Sequence, residues 1–159
     1  MSYLIPLKRR MKPAKKLNQY GAAYFFTTMY TDPVYGCILV SQNNRYLLVQ
    51  GRSTGKWSFP KGHPFINENP IDCAHRELLE ETGLNPPFMM SGQYNLATGT
   101  YFKYNIRDEP NCSVRDINEI IRTRWVTPEE MKNMSVNVDV NTYLRRIKNK
   151  PNVRYNLYH

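Results

Sequence analysis

The stretch 69–83 constrains this chain more than any other, because it carries a helix with both ends marked. Asn69 is a good N-cap, Pro70 takes the first helical position, where its missing N–H costs nothing, and Asp72 puts an anion in the first turn. Gly83 supplies the stop, since glycine enters the left-handed conformation freely. Between these marks Ile71, Ala74 and Leu78 form an apolar stripe suited to packing on a sheet. Candidate strands lie on both sides in sequence. Upstream are 22–29, 35–40 and 46–50, the last two joined by a hairpin loop at 41–45, and the short run Trp57-Ser58-Phe59. Downstream are 94–97, 100–106 and 123–126. Thr127-Pro128-Glu129-Glu130 opens a short helix, and Val138–Lys148 reads as a final one. Helices covering both faces of such strands predict an α/β domain.

The same helix carries Glu77, Glu80 and Glu81 at spacing i, i+3, i+4, which puts three carboxylates on one face. Like charges at that spacing repel, and a hard divalent cation would reverse the penalty, because clustered carboxylate oxygens are what Mg²⁺ binds. Taken alone, Arg76-Glu77-Leu78-Leu79-Glu80-Glu81 is an ordinary solvated helix face with Arg76 pairing Glu80. The surrounding residues change that reading. Across 62–84 the chain has Gly62, Glu68, Arg76, Glu77, Leu78, Glu80, Glu81, Gly83 and Leu84 in the pattern G-x5-E-x7-R-E-U-x-E-E-x-G-U, where U is a bulky aliphatic. Chance agreement is on the order of 10⁻⁹ per starting position, from average residue frequencies.

That pattern is the Nudix box, and the chain resembles the Nudix hydrolase family from about residue 20 to 131. The resemblance implies an α/β/α sandwich around a mixed β-sheet and cleavage of a diphosphate link by water. It implies Glu77, Glu80 and Glu81 as ligands of Mg²⁺ or Mn²⁺, helped by a backbone carbonyl near Lys61 or Gly62. Arg76 would hold the cluster by pairing with a carboxylate, most simply Glu68, while Gly62 and Gly83 answer backbone requirements. The cation would neutralise the diphosphate and activate the attacking water, so positioning and charge stabilisation carry most of the rate. Many family members take a further glutamate from a loop after the box. Glu119 is the candidate here, as base or as further metal ligand, with Asp116 as fallback; a plain surface glutamate reads equally well.

The flanks bear on the substrate. STGKWSFPKG over 53–62, Asp72-Cys73-Ala74, and Asn118-Glu119-Ile120 ahead of Trp125 resemble the catalytic domain of mRNA-decapping Nudix enzymes, which release methylated guanosine diphosphate (m7GDP) from capped RNA. Two features depart from that group. Nineteen residues cannot make the helical regulatory domain that usually precedes it, and His63 stands where a second lysine is usual. Lys61-Gly62-His63 instead resembles the asymmetric diadenosine tetraphosphate hydrolases. Lys61 suits a phosphate contact as a point charge, and His63 is a second candidate or an ordinary surface residue.

Charge distribution adds to this. The net charge is +9, yet residues 1–19 and 141–159 hold 11 of the 22 basic residues and no acid, leaving 20–140 mildly acidic. Basic ends suit a polyanion, RNA or a densely phosphorylated small molecule, and serve equally as solubilising tails. Exposed aromatics among Tyr20, Tyr24, Phe25, Phe26, Tyr30 and Tyr35 would suit stacking on a cap base, though core packing suits them as well. The chain of 159 residues is expected to form a basic arm over 1–19, one Nudix domain over 20–135, and a basic helix and tail over 136–159 packed on that domain. No apolar run suggests a signal peptide or membrane span, and Cys37, Cys73 and Cys112 have neither disulfide nor zinc spacing. Cytoplasm is the expected location, host cytoplasm if the source is a large DNA virus, which a compact enzyme of this kind would suit. The expected partner is capped RNA or a small polyphosphate, with a homodimer open. The alternatives are a dinucleoside polyphosphate or diphosphoinositol polyphosphate hydrolase and, in another class, a catalytically silent RNA-binding module. An intact box argues against the last.

Overall fold

The computed structural model describes residues 32–149 apart from Phe88, together with two short strands nearer the N-terminus. The chain divides into two units, Met1–Asp32 and Pro33–His159. In the first, β1 (Lys16–Leu17) pairs antiparallel with β2 (Ala23–Tyr24). The rest of the strand expected over 22–29, Tyr20, Phe25, Phe26, Tyr30, and the remainder of the basic ends at 1–19 and 150–159 lie outside the described residues.

The second unit runs β3 (Tyr35–Ser41), β4 (Tyr46–Gly51), β5 (Trp57–Ser58), β6 (Lys61–Gly62), α1 (Pro70–Thr82), β7 (Met90–Asn95), β8 (Thr100–Ile106), β9 (Ile120–Val126), α2 (Pro128–Lys132) and α3 (Val138–Lys148). Its strands form one mixed sheet in the order β5-β4-β3-β8-β7, with β6 added on β3 and β9 on β4. Strand β3 is buried on both faces, which is why it reads as a continuous apolar run, and it lies parallel to β8 from Tyr35 opposite Thr100 to Ser41 opposite Ile106. Strands β3 and β4 are joined by the expected hairpin, yet they pair only at Val40 and Tyr46. Beyond that point β3 takes β6 as partner and β4 takes β9 and β5.

Alternation along the strands sends side chains into two layers. Cys37, Leu39, Leu47, Phe102 and Tyr104 pack beneath Ala74 and Leu78 of α1. Ile38, Val40, Tyr46, Leu48, Tyr101 and Val126 pack on the opposite face with Met131 of α2 and Val140 and Tyr143 of α3. The result is the α/β/α sandwich. Burying Leu78 alone stabilises by roughly 1.5–3 kcal/mol, more than the roughly 0.2–0.5 kcal/mol lost per like-charged pair on the same helix. Packing therefore holds the carboxylate helix together against its own repulsion.

Several expectations need correction. Ile71 leaves the apolar stripe and is 39% exposed, because a cavity opens between the first turn of α1 and Tyr35, Thr100 and Phe102 of the sheet. Strand β7 ends at Asn95 rather than at residue 97, since the Leu96 N–H turns back to the Gly99 carbonyl at 2.8 Å. Strand β9 starts three residues early, at Ile120. Helix α3 matches its expected limits and covers the sheet with Val140 and Tyr143, while Arg145, Arg146 and Lys148 stay exposed. No helix among the described residues is long and apolar enough to cross a membrane.

Candidate active site

Both ends of α1 are built as their residue types dictate. The Asn69 side chain accepts the Asp72 N–H at 2.9 Å, and Gly83 closes the other end with φ 75° and its N–H on the Leu79 carbonyl. A Cβ at Gly83 would fall 2.6 Å from the Ser113 carbonyl oxygen, so glycine is required twice over. The last carbonyls of the helix, which have no partner within it, are met by the loop before β9. The Ser113 N–H reaches the Thr82 carbonyl at 2.8 Å, while the Arg115 and Asp116 N–H groups reach that of Glu80 at 3.0 and 2.8 Å. The Asp116 carbonyl accepts the Glu119 N–H at 3.2 Å, and the Glu119 carbonyl accepts the Arg52 N–H at 2.7 Å. The loop carrying Asp116 and Glu119 is thus stitched to the end of the helix that bears Glu80.

The three glutamates differ in environment. Glu77 and Glu81 are buried, at 2% and 4% exposure, whereas the Glu80 side chain is about a third open. Glu77 lies hard against the backbone of β6, so that a Cβ on Gly62 would fall 2.2 Å from its carboxyl carbon. The glycine at the head of the box is therefore the notch that admits a carboxylate. Glu81 Oε2 accepts the Lys61 N–H at 3.0 Å, so the same two-residue strand positions both buried acids.

Arg76 joins the cluster. Its Nε and Nη2 donate to the two oxygens of Glu68 at 2.7 and 2.9 Å, the two-pronged geometry that arginine favours. Nη1 donates to Glu77 at 2.6 Å and to Glu80 at 3.3 Å, and Nη2 also reaches the His63 carbonyl at 3.0 Å. The Phe65 ring covers the guanidinium at 3.8 Å. Burial works against the Arg76 charge, but the bonds to Glu68 and Glu77 more than offset it and hold the group protonated. The hydrogen bond from Arg76, ahead of the Phe65 N–H, holds the Glu68 carboxyl below the usual carboxylate range, against its burial.

A lowered acid pKa has a definite sign in stability. The Glu68 contribution is present in full above the range where an unfolded-chain glutamate titrates. It disappears as pH falls through that range and on through the lowered value. Glu68→Gln is therefore expected to reduce Tm at neutral pH and to narrow the gap between neutral and acid Tm. Melting curves of the two proteins from pH 7 to pH 3 check this, and parallel curves would refute it.

Lys61 donates its backbone N–H to Glu81, and the residue is half-buried. The exposed His63 ring has Nδ1 3.2 Å from the Pro33 carbonyl, a contact in which that nitrogen carries the proton. Phe65 and Cys73 were not foreseen. Phe65 stacks on Arg76, and Cys73 lies with its sulfur 3.7 Å from the Gly62 carbonyl and 3.6 Å from Arg76 Nη2. Both occupy variable positions of the box, so the box pattern does not mark them as parts of the site. All three cysteines are free thiols, and burial pushes Cys73 up to about 12.

An oxygen donor set, two buried carboxylates and the Gly62 notch fit a hard divalent cation. Arg76 pairs with Glu77 and Glu80, Glu81 is held by the Lys61 N–H, and among the described residues no three acidic, imidazole or thiol side chains converge on one point.

Comparison with known proteins agrees with this geometry. The family model for the NUDIX domain matches residues 31–146. The mRNA-decapping enzyme subunit 2 of Saccharomyces cerevisiae is 44% identical over 54 residues, which is 33% of this chain but 6% of that protein. An RNA pyrophosphohydrolase of Francisella tularensis is 33% identical over 81 residues, 47% of this chain and 50% of that protein. The chain thus spans half or less of these relatives. Among solved structures, a Caenorhabditis elegans Ap4A hydrolase superposes with a TM-score of 0.61 at 16% identity, covering 72% of this chain and 95% of that one, a likeness of fold.

Proposed function

The chain belongs to the Nudix family, and on that premise we propose that it is a pyrophosphohydrolase that cuts a phosphoric anhydride bond with water. The observation that carries the proposal is the row of Glu77, Glu80 and Glu81 along α1, with Arg76 paired to Glu77 and Glu80, the Gly62 notch taking Glu77 and the Lys61 N–H holding Glu81. Glu77, Glu80 and Glu81 are the residues that would hold Mg²⁺ or Mn²⁺, with the Gly62 carbonyl as a further oxygen. Such a cation supplies charge neutralisation for the diphosphate and activation of water. Arg76 keeps the acids in register through its two hydrogen bonds to Glu68. The Lys61 ammonium offers a point charge for a phosphate oxygen, with His63 at the rim of the same loop. Glu119, on the loop hung from the Glu80 carbonyl, is the candidate proton acceptor, and Asp116 is the fallback. The leaving group is itself a phosphate, so no strong acid is demanded.

For the substrate we favour capped RNA, cut to release m7GDP. Supporting this are the decapping-like flanks, the 54-residue match to the yeast enzyme, and the exposed basic row Arg145, Arg146 and Lys148 on α3. The free thiols suit a reducing compartment, and we place the protein in the cytoplasm. A second reading, a dinucleoside polyphosphate hydrolase, draws on the Lys61-Gly62-His63 run and the Ap4A hydrolase fold. Incubation with Mg²⁺ and, side by side, cap-labelled RNA, diadenosine tetraphosphate and a diphosphoinositol polyphosphate separates the readings. Release of m7GDP, weakened steeply by salt, is expected. Preference for either small molecule would overturn decapping and keep the hydrolase.

A further inference from the structure

A second polar arrangement, on the sheet face opposite α1, is not used by the hydrolytic machinery. Trp57, Gln50 and Arg122 stand side by side across β5, β4 and β9, with Gln50 opposite both Trp57 and Arg122 in the pairing register. The Gln50 amide is fixed at both ends, since Nε2 donates to the Gly55 carbonyl at 2.8 Å and Oε1 accepts Arg122 Nε at 2.8 Å. The Arg122 guanidinium reaches back over the Trp57 ring, its central carbon 5.5 Å from the ring centre. An exposed arginine on a strand is ordinarily free to sample many rotamers. Here a stacking surface and a directed hydrogen bond hold it in one.

The charge on this side chain is also uncommitted. Arg124, two residues on and on the same face of β9, is neutralised by Glu130 of α2 at 3.0 Å. No carboxylate among the described residues forms an ion pair with Arg122, whose Nε is taken by Gln50 while the Nη edge is left for an incoming group. The position is bracketed by the catalytic candidates. Strand β5 runs through Phe59 and Pro60 into Lys61, whose N–H holds Glu81, and two residues beyond Gln50 the Arg52 N–H holds the Glu119 carbonyl. Alternation puts Gln50 and Arg122 on the face that carries Tyr46, Leu48 and Val126, where α2 and α3 cover the sheet farther along.

We propose that Arg122, braced by Gln50 and Trp57, is a phosphate-binding subsite that takes an anionic group of the substrate beyond the bond being cut. A guanidinium anchored through Nε keeps its two Nη groups available to match two oxygens of a phosphate, and it would select substrates with a phosphate on that side of the scissile bond. The inference rests on the hydrolase reading for its role in turnover, but not for binding.

Binding is therefore tested first, without turnover. In a Trp125→Phe background Trp57 is the sole tryptophan, and its fluorescence reports on the ring beneath Arg122. Titration with inorganic triphosphate in the presence of EDTA is expected to change that signal. Arg122→Gln should weaken binding about tenfold, Arg122→Lys should restore part of it, and Arg124→Gln should stay within about twofold. Failure of triphosphate to bind, or equal affinity in Arg122→Gln, overturns the proposal. With Mg²⁺ and a hydrolysable substrate, Arg122→Gln should raise KM about tenfold with kcat within about twofold; a fall in kcat at unchanged KM overturns it as well. Binding through Arg122 without turnover of any phosphoric anhydride would sink the hydrolase reading instead and leave the subsite standing.

Discussion

Glu81→Gln is expected to lower kcat by about 10³-fold or more while leaving Tm within about 4 °C, in line with the loss of one directed electrostatic group at a reacting phosphate. The variant keeps the volume of a side chain that is 4% exposed, so no cavity opens. An amide oxygen also replaces Oε2 as acceptor for the Lys61 N–H, now 3.0 Å away. Satisfying that bond turns the amide nitrogen toward the space shared with Glu77 and Glu80. An N–H then points where a cation would need an oxygen, and one negative charge is gone from a cluster of three. The loss should appear twice, in turnover under saturating Mg²⁺ and in weaker Mg²⁺ or Mn²⁺ binding measured by calorimetry. Glu80 is more open, so its glutamine variant is expected to fold as well and to lose both properties. A Glu81→Gln protein with wild-type turnover and cation affinity would remove the carboxylate cluster from the chemistry.

The second large effect is on stability and lies on the other face of the sheet. Asp139 is fully buried in the first turn of α3. Its carboxylate accepts the Thr98 N–H at 2.7 Å, the Thr98 hydroxyl, and the Tyr101 hydroxyl at 2.6 Å. Burial, then the neighbouring Asp139 charge, keeps Tyr101 a neutral phenol and so a donor. Three donors and the start of a helix compensate one desolvated charge, and the bonds tie α3 to the turn between β7 and β8. Asp139→Ala removes the acceptor, strands the buried Tyr101 hydroxyl and opens space. We expect a loss of about 3 kcal/mol, since hydrogen bonds to a charged group contribute about 1.5–3 kcal/mol each, or roughly 10 °C in Tm for a domain of this size. Asp139→Asn should recover only part of this, because its amide faces donors with a donor. Thermal melting of both variants decides the matter, and a shift under about 2 °C in Asp139→Ala would show that the network does not hold the helix.

Much of the carboxylate site was legible in sequence because it is local. The cap at Asn69, the stop at Gly83 and the i, i+3, i+4 spacing of Glu77, Glu80 and Glu81 are all written within one helix, where backbone geometry fixes which residues share a face. Strands β3, β4 and β8 were legible too, since burial on both faces or alternation leaves a readable period. Ile71 misled because a helical stripe shows only which residues face one way, not whether the sheet closes against each of them.

The contacts that turn the motif into a site come from distant parts of the chain. Sequence by itself determined the family pattern, the carboxylate face and the helix that bears it. Only the tertiary structure decided that β3 and β4 part after one pair, and that β6 enters beside β3 to hold Glu81 and to leave the Gly62 notch for Glu77. The structure also decided that Arg122 lies over Trp57 across two strands, and that Asp139 is the buried anchor of α3. Each of these depends on pairing or burial between residues well separated in sequence, set by which surfaces pack together, and a local period carries no information about that choice.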